Sequence, residues 1–169
     1  MRVAILAGGK SQRMGEDKAR MFNSVHRLQE MVDELGAGPA WVLCGSADRK
    51  AMFSGEVIVD PPQCEGVLEV IRWLVEETDD DVLVLPCDAF AMERGALAWL
   101  LNRTSGGVAV DPHGKRQPTL AVIPRGFRLP VNAASLNELT AELPSLHSDR
   151  WSLSFANYNR QEDLRNLNP

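Results

Sequence analysis

The sequence has little that would anchor, crosslink or stretch it. No apolar run approaches the ~20 residues that cross a bilayer, and Met1-Arg2 leads straight into Val3-Ala4-Ile5-Leu6 rather than into the apolar core of a secretion signal. A cytoplasmic protein without a membrane partner is expected. There are only three cysteines, Cys44, Cys64 and Cys87, with no Cys-x-x-Cys and no neighbouring histidine. That excludes a disulfide framework and a zinc site of the usual spacing, and the thiols read as free. His26, His113 and His147 are equally scattered, and no Gly-x-Ser-x-Gly elbow supports a serine hydrolase. Aromatic residues make up 6% of the chain, and Trp41, Trp73, Trp99 and Trp151 read as core or half-buried packing rather than interface anchors. Positive charge is also short, 18 Lys+Arg against 23 Asp+Glu for a net charge of −5. An acidic balance argues against nonspecific nucleic-acid binding while leaving room for a local basic pocket. Repeats, low-complexity tracts and Gly-, Ser- or Pro-rich linkers are missing, so residues 1–169 read as one domain.

What is present is the alternation of an α/β protein. Short apolar runs at Val3–Leu6, Trp41–Cys44, Val57–Val59, Val82–Leu85, Val108–Val110 and Thr119–Ile123 read as strands. Between them, Val25–Leu35 sets Leu28, Met31, Val32 and Leu35 at helical spacing, with Gly36 as the stop. Val67–Glu77 does the same with Val67, Val70, Ile71 and Leu74. Ala96–Leu101 and Leu136–Leu143 complete the helices, with Pro144 ending the last. Strands alternating with helices predict a largely parallel sheet covered on both faces. The densest charge run, Thr78-Asp79-Asp80-Asp81, falls between a helix and a strand and reads as a solvated loop.

The most informative segment follows the first strand: Leu6-Ala7-Gly8-Gly9-Lys10-Ser11-Gln12-Arg13-Met14-Gly15-Glu16-Asp17-Lys18. Glycines directly after a buried strand permit positive φ and close approach to a ligand, and successive N–H groups there can converge on phosphate oxygens. Lys10, Arg13, Lys18 and Arg20 add cations to this stretch of an otherwise acidic chain. Walker A fails, because Ala4 stands where its first glycine belongs, and Gly8, Gly9 and Gly15 do not fit G-x-G-x-x-G.

The segment closely resembles the signature L-A-G-G-x-S-x-R-M-G-x-D-K of the molybdenum cofactor guanylyltransferases, the molybdopterin-guanine dinucleotide biosynthesis protein A family, with every specified position filled. Val82-Leu83-Val84-Leu85-Pro86-Cys87-Asp88 resembles the family's strand ending in P-C-D, although Asp88 could equally cap a following helix. Asp60 matches the family's aspartate ahead of a helix over the nucleotide. Gln117-Pro118-Thr119-Leu120-Ala121 resembles the substrate-side P-T-x-A, and Phe155-Ala156-Asn157-Tyr158-Asn159-Arg160-Gln161-Glu162-Asp163-Leu164 the closing F-x-N-x-N-T-P-E-D-L. The chain departs from the pattern at Asn23-Ser24-Val25-His26-Arg27-Leu28, where only the leucine of G-K-P-L is kept. It departs again at Glu65-Gly66-Val67-Leu68-Glu69, where G-P-L-A-G is usual, and at Arg160-Gln161, and it is shorter than the family's members.

The resemblance implies a three-layer α/β/α, Rossmann-like nucleotidyltransferase fold with a mostly parallel sheet. It implies Mg²⁺-dependent transfer of GMP from GTP to molybdopterin with release of pyrophosphate, and partners that deliver or receive the cofactor. Asp88 is then the metal ligand, Lys18 and Arg13 meet the triphosphate, Leu6, Ala7, Gly8 and Gly9 bring backbone to the nucleotide, Asp60 contacts the nucleoside, and Asn157 and Asn159 lie on the acceptor side. Gly8-Gly9 favours guanylyl over cytidylyl transfer, since related cytidylyltransferases read L-A-A-G. Transfer of another nucleotide, or to another phosphorylated acceptor, is the alternative within this chemistry. An inactive nucleotide-binding module is the alternative outside it.

Overall fold

The computed structural model describes residues 1–9 and 17–158. Lys10, Arg13 and Asn159 lie outside the described residues. The elements, in chain order, are β1 (Arg2–Leu6), α1 (Ser24–Glu34), β2 (Trp41–Leu43), β3 (Glu56–Ile58), α2 (Val67–Glu77), β4 (Val82–Pro86), α3 (Arg94–Leu101), β5 (Gly107–Val110), β6 (Arg116–Ile123), α4 (Leu136–Leu139) and β7 (Ser145–Leu146). Short 3-10 segments span Lys18–Asn23, Ala47–Met52 and Ser152–Phe155.

All seven strands join one sheet in the order β3-β2-β1-β4-β6-β5-β7. The first four run parallel, as do β5 and β7, while β6 lies antiparallel to both β4 and β5. In the centre of the sheet, Val3–Leu6 of β1 and Val82–Pro86 of β4 are apolar at every position because both faces are covered. Val3, Ile5, Leu83 and Leu85 pack with α1 and α3 through Leu28, Val32, Leu97 and Leu100. Ala4, Val82 and Val84 point the other way, against Val70, Ile71 and Leu74 of α2 and Leu139 of α4. The period of two along each strand thus divides the core into two layers, one on each side of the sheet. Among the described residues no helix is long and apolar enough to cross a membrane.

Helix α1 stops where the sequence indicates: Gly36 adopts φ +69 and its N–H bonds to Asp33, while Ala37 N–H returns to Val32. Helix α2 has the expected bounds. The expected helix over Leu136–Leu143 is corrected to one turn, Leu136–Leu139. The guanidinium of Arg116 takes the carbonyls of Thr140 (2.7 Å) and Leu143 (3.1 Å), and the Pro144 carbonyl accepts from Val108 N–H. Those bonds draw the chain alongside β5 as β7, a strand too short for any periodicity to announce. The acidic run at 79–81 is the expected exposed loop and also ties neighbouring segments together. Asp80 pairs with the N-terminal ammonium at 2.7 Å, Asp79 with Arg125, and the Asp81 carbonyl accepts from Arg2 N–H. The ammonium holds the Asp80 carboxyl below its ordinary range.

Candidate functional site

Parallel strands end on the same side, so the loops after β1, β2, β3 and β4 meet at one edge of the sheet. There they enclose a pocket of about 920 Å³, within the range of small-molecule sites. Leu6, Gly8 and Gly9 reach it from β1, Gly45 and Ser46 from β2, Val59, Asp60 and Pro61 from β3, and Cys87 and Asp88 from β4. Gly66 and Val67, at the start of α2, complete one wall, and Thr119 and Asn157 stand on the other.

The two glycines after β1 serve different ends. Neither adopts the positive φ that glycine permits. A Cβ on Gly8 would lie 2.8 Å from both the Cα and N of Gly45, which itself has φ +83. Gly8 is therefore required by close packing of one loop backbone on another. Among the described residues a Cβ on Gly9 would meet nothing within 4 Å. Open space for a ligand lies at Gly9.

Two polar assemblies set the pocket floor. In the first, Lys18 Nζ donates to Asp88 Oδ2 at 2.7 Å across 70 residues of sequence, with both side chains nearly buried. Asp88 caps no helix, since α3 begins at Arg94 with Glu93 before it. Lys18 is aimed by its neighbour Asp17, whose Oδ1 accepts from Ala19 N–H at 3.1 Å and starts the 3-10 turn. Asp17 is in turn gripped by Arg49. The Arg49 guanidinium donates to Asp17 Oδ2, to the Ala7 carbonyl (2.7 Å) and to the Cys44 carbonyl (3.0 Å), which ties the loops after β1 and β2 to the Lys18 turn. The hydrogen bond to Asp17 raises the pKa of Arg49 further above its ordinary value. The second assembly centres on Asp60, whose Oδ1 accepts from Gly45 N–H at 3.0 Å while its own N–H donates to the Gly45 carbonyl at 2.8 Å. Burial pushes the Asp60 carboxyl above its ordinary range, partly offset by the Gly45 N–H and by Arg49.

On the opposite wall Gln117 is buried and links outward and inward. Its Nε2 donates to Asp111 Oδ2 at 2.8 Å and its Oε1 accepts from Asn157 Nδ2 at 3.3 Å. The three thiols are free. Burial raises all of them, and Cys87, beside Asp88 and Asp17, is pushed up to about 12.

Of the residues singled out from the sequence, Leu6, Gly8, Gly9, Lys18, Asp60, Asp88 and Asn157 line this one pocket. Ala7 does not. It is fully buried, its N–H donates to the Leu43 carbonyl at 2.8 Å, and its carbonyl accepts from Arg49. Arg13 and Asn159 fall outside the described residues. Sequence reasoning missed Arg49, Asp17, Gly45 and Gln117 as structural parts of the site. Asp17 and Gln117 sat inside the quoted motifs without a role, whereas nothing in the pattern of Ala47–Met52 distinguishes Arg49 from a solvated cation.

A mostly parallel sheet flanked by helices, with glycine backbone, a lysine and two aspartates gathered at its carboxyl edge, defines a nucleotidyltransferase α/β fold. The chain belongs to the MobA-like NTP transferase domain family, whose model matches residues 3–149. No curated protein matches the chain. Among solved structures it is similar to a protein from Aquifex aeolicus VF5, with a TM-score of 0.72 and 16% identity over 93% of this chain and 92% of that one. It is similar to molybdopterin-guanine dinucleotide biosynthesis protein A from Archaeoglobus fulgidus, with a TM-score of 0.66 and 17% identity over 98% and 95%. The bifunctional IspDF from Campylobacter jejuni is also similar, with a TM-score of 0.60 and 12% identity over 99% of this chain and 54% of that one.

Proposed function

We propose that this nucleotidyltransferase moves GMP from GTP to molybdopterin and releases pyrophosphate. The observation that carries the reading is the Lys18–Asp88 pair, drawn together across 70 residues into the pocket where the signature glycines end. In-line attack of an acceptor phosphate on the α-phosphorus asks the protein to align two anions and offset their charge rather than to form covalent bonds. Lys18 suits the triphosphate and Gly9 gives a backbone surface without a side chain in the way. In this reading Asp60 accepts from the nucleoside, and Arg13, by the signature, adds a second cation. Asn157 belongs to the acceptor side, with Asn159 beside it in the motif.

Mg²⁺ fits the residues present. Asp88 gives Lys18 one carboxylate oxygen, Oδ2, and has a second to offer. Among the described residues no group of three His, Cys, Asp or Glu gathers, which suits a cation held mainly by phosphate oxygens and water. Bound there, Mg²⁺ would supply charge stabilisation and alignment of the phosphates.

Choice of GTP rests on the L-A-G-G resemblance. Because Gly8 answers to Gly45, the second reading, cytidylyl transfer, shares the same pocket and is separated by assay. Pyrophosphate release is measured with GTP, CTP and ATP, with and without molybdopterin and Mg²⁺. Release that needs GTP, molybdopterin and Mg²⁺ together is expected. Faster release with CTP moves the assignment to cytidylyl transfer, and nucleotide binding without release under any condition makes the protein a binding module. Delivery or acceptor proteins of the cofactor are the partners this reading implies.

A further inference from the structure

We infer that Asp111 and Gln117 form a polarity relay that decides which atom of Asn157 is offered to the pocket. The inference rests on the transferase reading only for what occupies that pocket. Asp111 stands in the turn between β5 and β6, where its Oδ1 accepts from the N–H groups of His113 and Lys115, both at 2.9 Å. Its Oδ2 meets Gln117 Nε2 at 2.8 Å. A carboxylate has no hydrogen to give, so Gln117 is obliged to turn its nitrogen toward Asp111 and its carbonyl oxygen the opposite way. Gln117 is only 5% exposed, and water is not there to correct a reversed amide. Its Oε1 can only accept, and Asn157 therefore meets it through Nδ2, at 3.3 Å. Asn157 lines the pocket, and with Nδ2 turned toward Gln117 the acceptor it can offer there is the carbonyl Oδ1. Two residues upstream, Phe155 is 1% exposed and pins the backbone that carries Asn157. A fixed carbonyl oxygen recognises an electropositive group and repels phosphate oxygens. The group is either an N–H or O–H of the acceptor substrate or a divalent cation held between substrate and protein. Asp111 and Gln117 are positioning residues, acting on the ligand through Asn157.

The relay can be inverted without changing shape. In Asp111→Asn the introduced amide keeps its oxygen on the His113 and Lys115 N–H groups and presents nitrogen to Gln117. Gln117 then reverses, Asn157 reverses, and nitrogen replaces oxygen at the pocket. Every internal hydrogen bond is kept, so the variant should melt close to the wild type while transfer falls by about tenfold or more. Asn157→Asp alone sets an acceptor against Gln117 Oε1 and should melt clearly lower. The double variant Asp111→Asn, Asn157→Asp restores complementarity, recovers the melting temperature lost by Asn157→Asp, and regains most of the transfer lost by Asp111→Asn. A rise in KM for molybdopterin at unchanged Mg²⁺ half-saturation assigns the electropositive group to the acceptor, and the converse assigns it to the cation. Additive losses in melting temperature, or wild-type transfer by Asp111→Asn, overturn the relay. The melting cycle needs no substrate, so it tests the relay even if the wild-type protein transfers nothing to molybdopterin.

Discussion

The two sides of the pocket are built on different terms. On the β3-β2-β1-β4 side, parallel strands bring loop backbones together by topology, and the site is largely main chain held by Arg49 and by the contact of Gly8 with Gly45. On the β6-β5-β7 side, an antiparallel strand brings Thr119 toward the pocket, and the site depends on side chains oriented by other side chains, Asp111 through Gln117 to Asn157. The first construction ties the site to the fold, so changes there should cost stability and binding together. The second separates the two, and a substitution can redirect the site while leaving the core untouched.

The largest effect is expected at Asp88, where the two sides face each other. Asp88→Ala should reduce Mg²⁺-dependent pyrophosphate release by about a thousandfold. It also removes the 2.7 Å ion pair between Asp88 and the Lys18 ammonium, both nearly buried. Loss of one partner of a buried pair costs on the order of 3 kcal/mol, more than removal of a helix cap. Asp88→Ala combined with Lys18→Met should recover melting temperature but no transfer. Recovery of transfer as well would remove Asp88 from the chemistry.

Arg49 comes next, and it should behave as the fold-coupled side demands. Arg49→Ala takes the guanidinium donors from the carbonyls of Ala7 and Cys44 and from Asp17 Oδ2, a loss of about 2–4 kcal/mol in urea unfolding. GTP affinity should fall in step. Arg49→Lys should restore only part of both, because a single ammonium cannot span three acceptors as the guanidinium fork does. A lysine variant equal to wild type would show that charge, not the fork, holds the loops.

The glycines give a smaller and more discriminating test. Gly8→Ala forces a methyl to within 2.8 Å of Gly45 backbone, which should cost about 1–3 kcal/mol and weaken GTP binding. Gly9→Ala has open space around it and should leave the melting temperature unchanged while weakening the same titration. Equal melting temperatures for the two variants would mean that the Gly45 loop moves aside freely.

The smallest effect is at Asp60. Its carboxyl is raised above 3.8 chiefly by burial, so the folded state binds the proton more tightly than the unfolded chain. Stability is then greatest below that range and declines as pH rises through it, with the cost of the buried charge fully present at neutral pH. Asp60→Asn keeps an oxygen for Gly45 N–H and should raise stability at pH 7 slightly, flatten the pH dependence above 3.8, and weaken nucleotide binding. An unchanged pH profile in urea unfolding would assign the acid-side dependence elsewhere, with Asp80 and its N-terminal ammonium the next group to test.

By itself the sequence determined the α/β alternation, helix α2 to its ends, the stop of α1 at Gly36, and a glycine-rich loop leading to Lys18. Each of these is a local matter, written in periodicities of two or 3.6 residues and in residues suited to a particular turn. The motifs also named Asp88, Asp60 and Asn157, because those residues follow strands or close a recognisable pattern. Tertiary structure decided the rest. After Leu139 the chain turns out of the helix, and the carbonyls of Thr140 and Leu143 go to the guanidinium of Arg116, a partner 24 and 27 residues away that no local pattern shows. Gly8 was legible as a glycine, but the reason for it is Gly45, in the loop after β2, a strand that only the sheet places beside β1. Arg49 looked like any surface cation until folding put three acceptors within reach of one guanidinium. The orientation of Asn157 follows from a carboxylate two hydrogen bonds away, and the direction of an amide is fixed by its partners in space, which no linear spacing encodes.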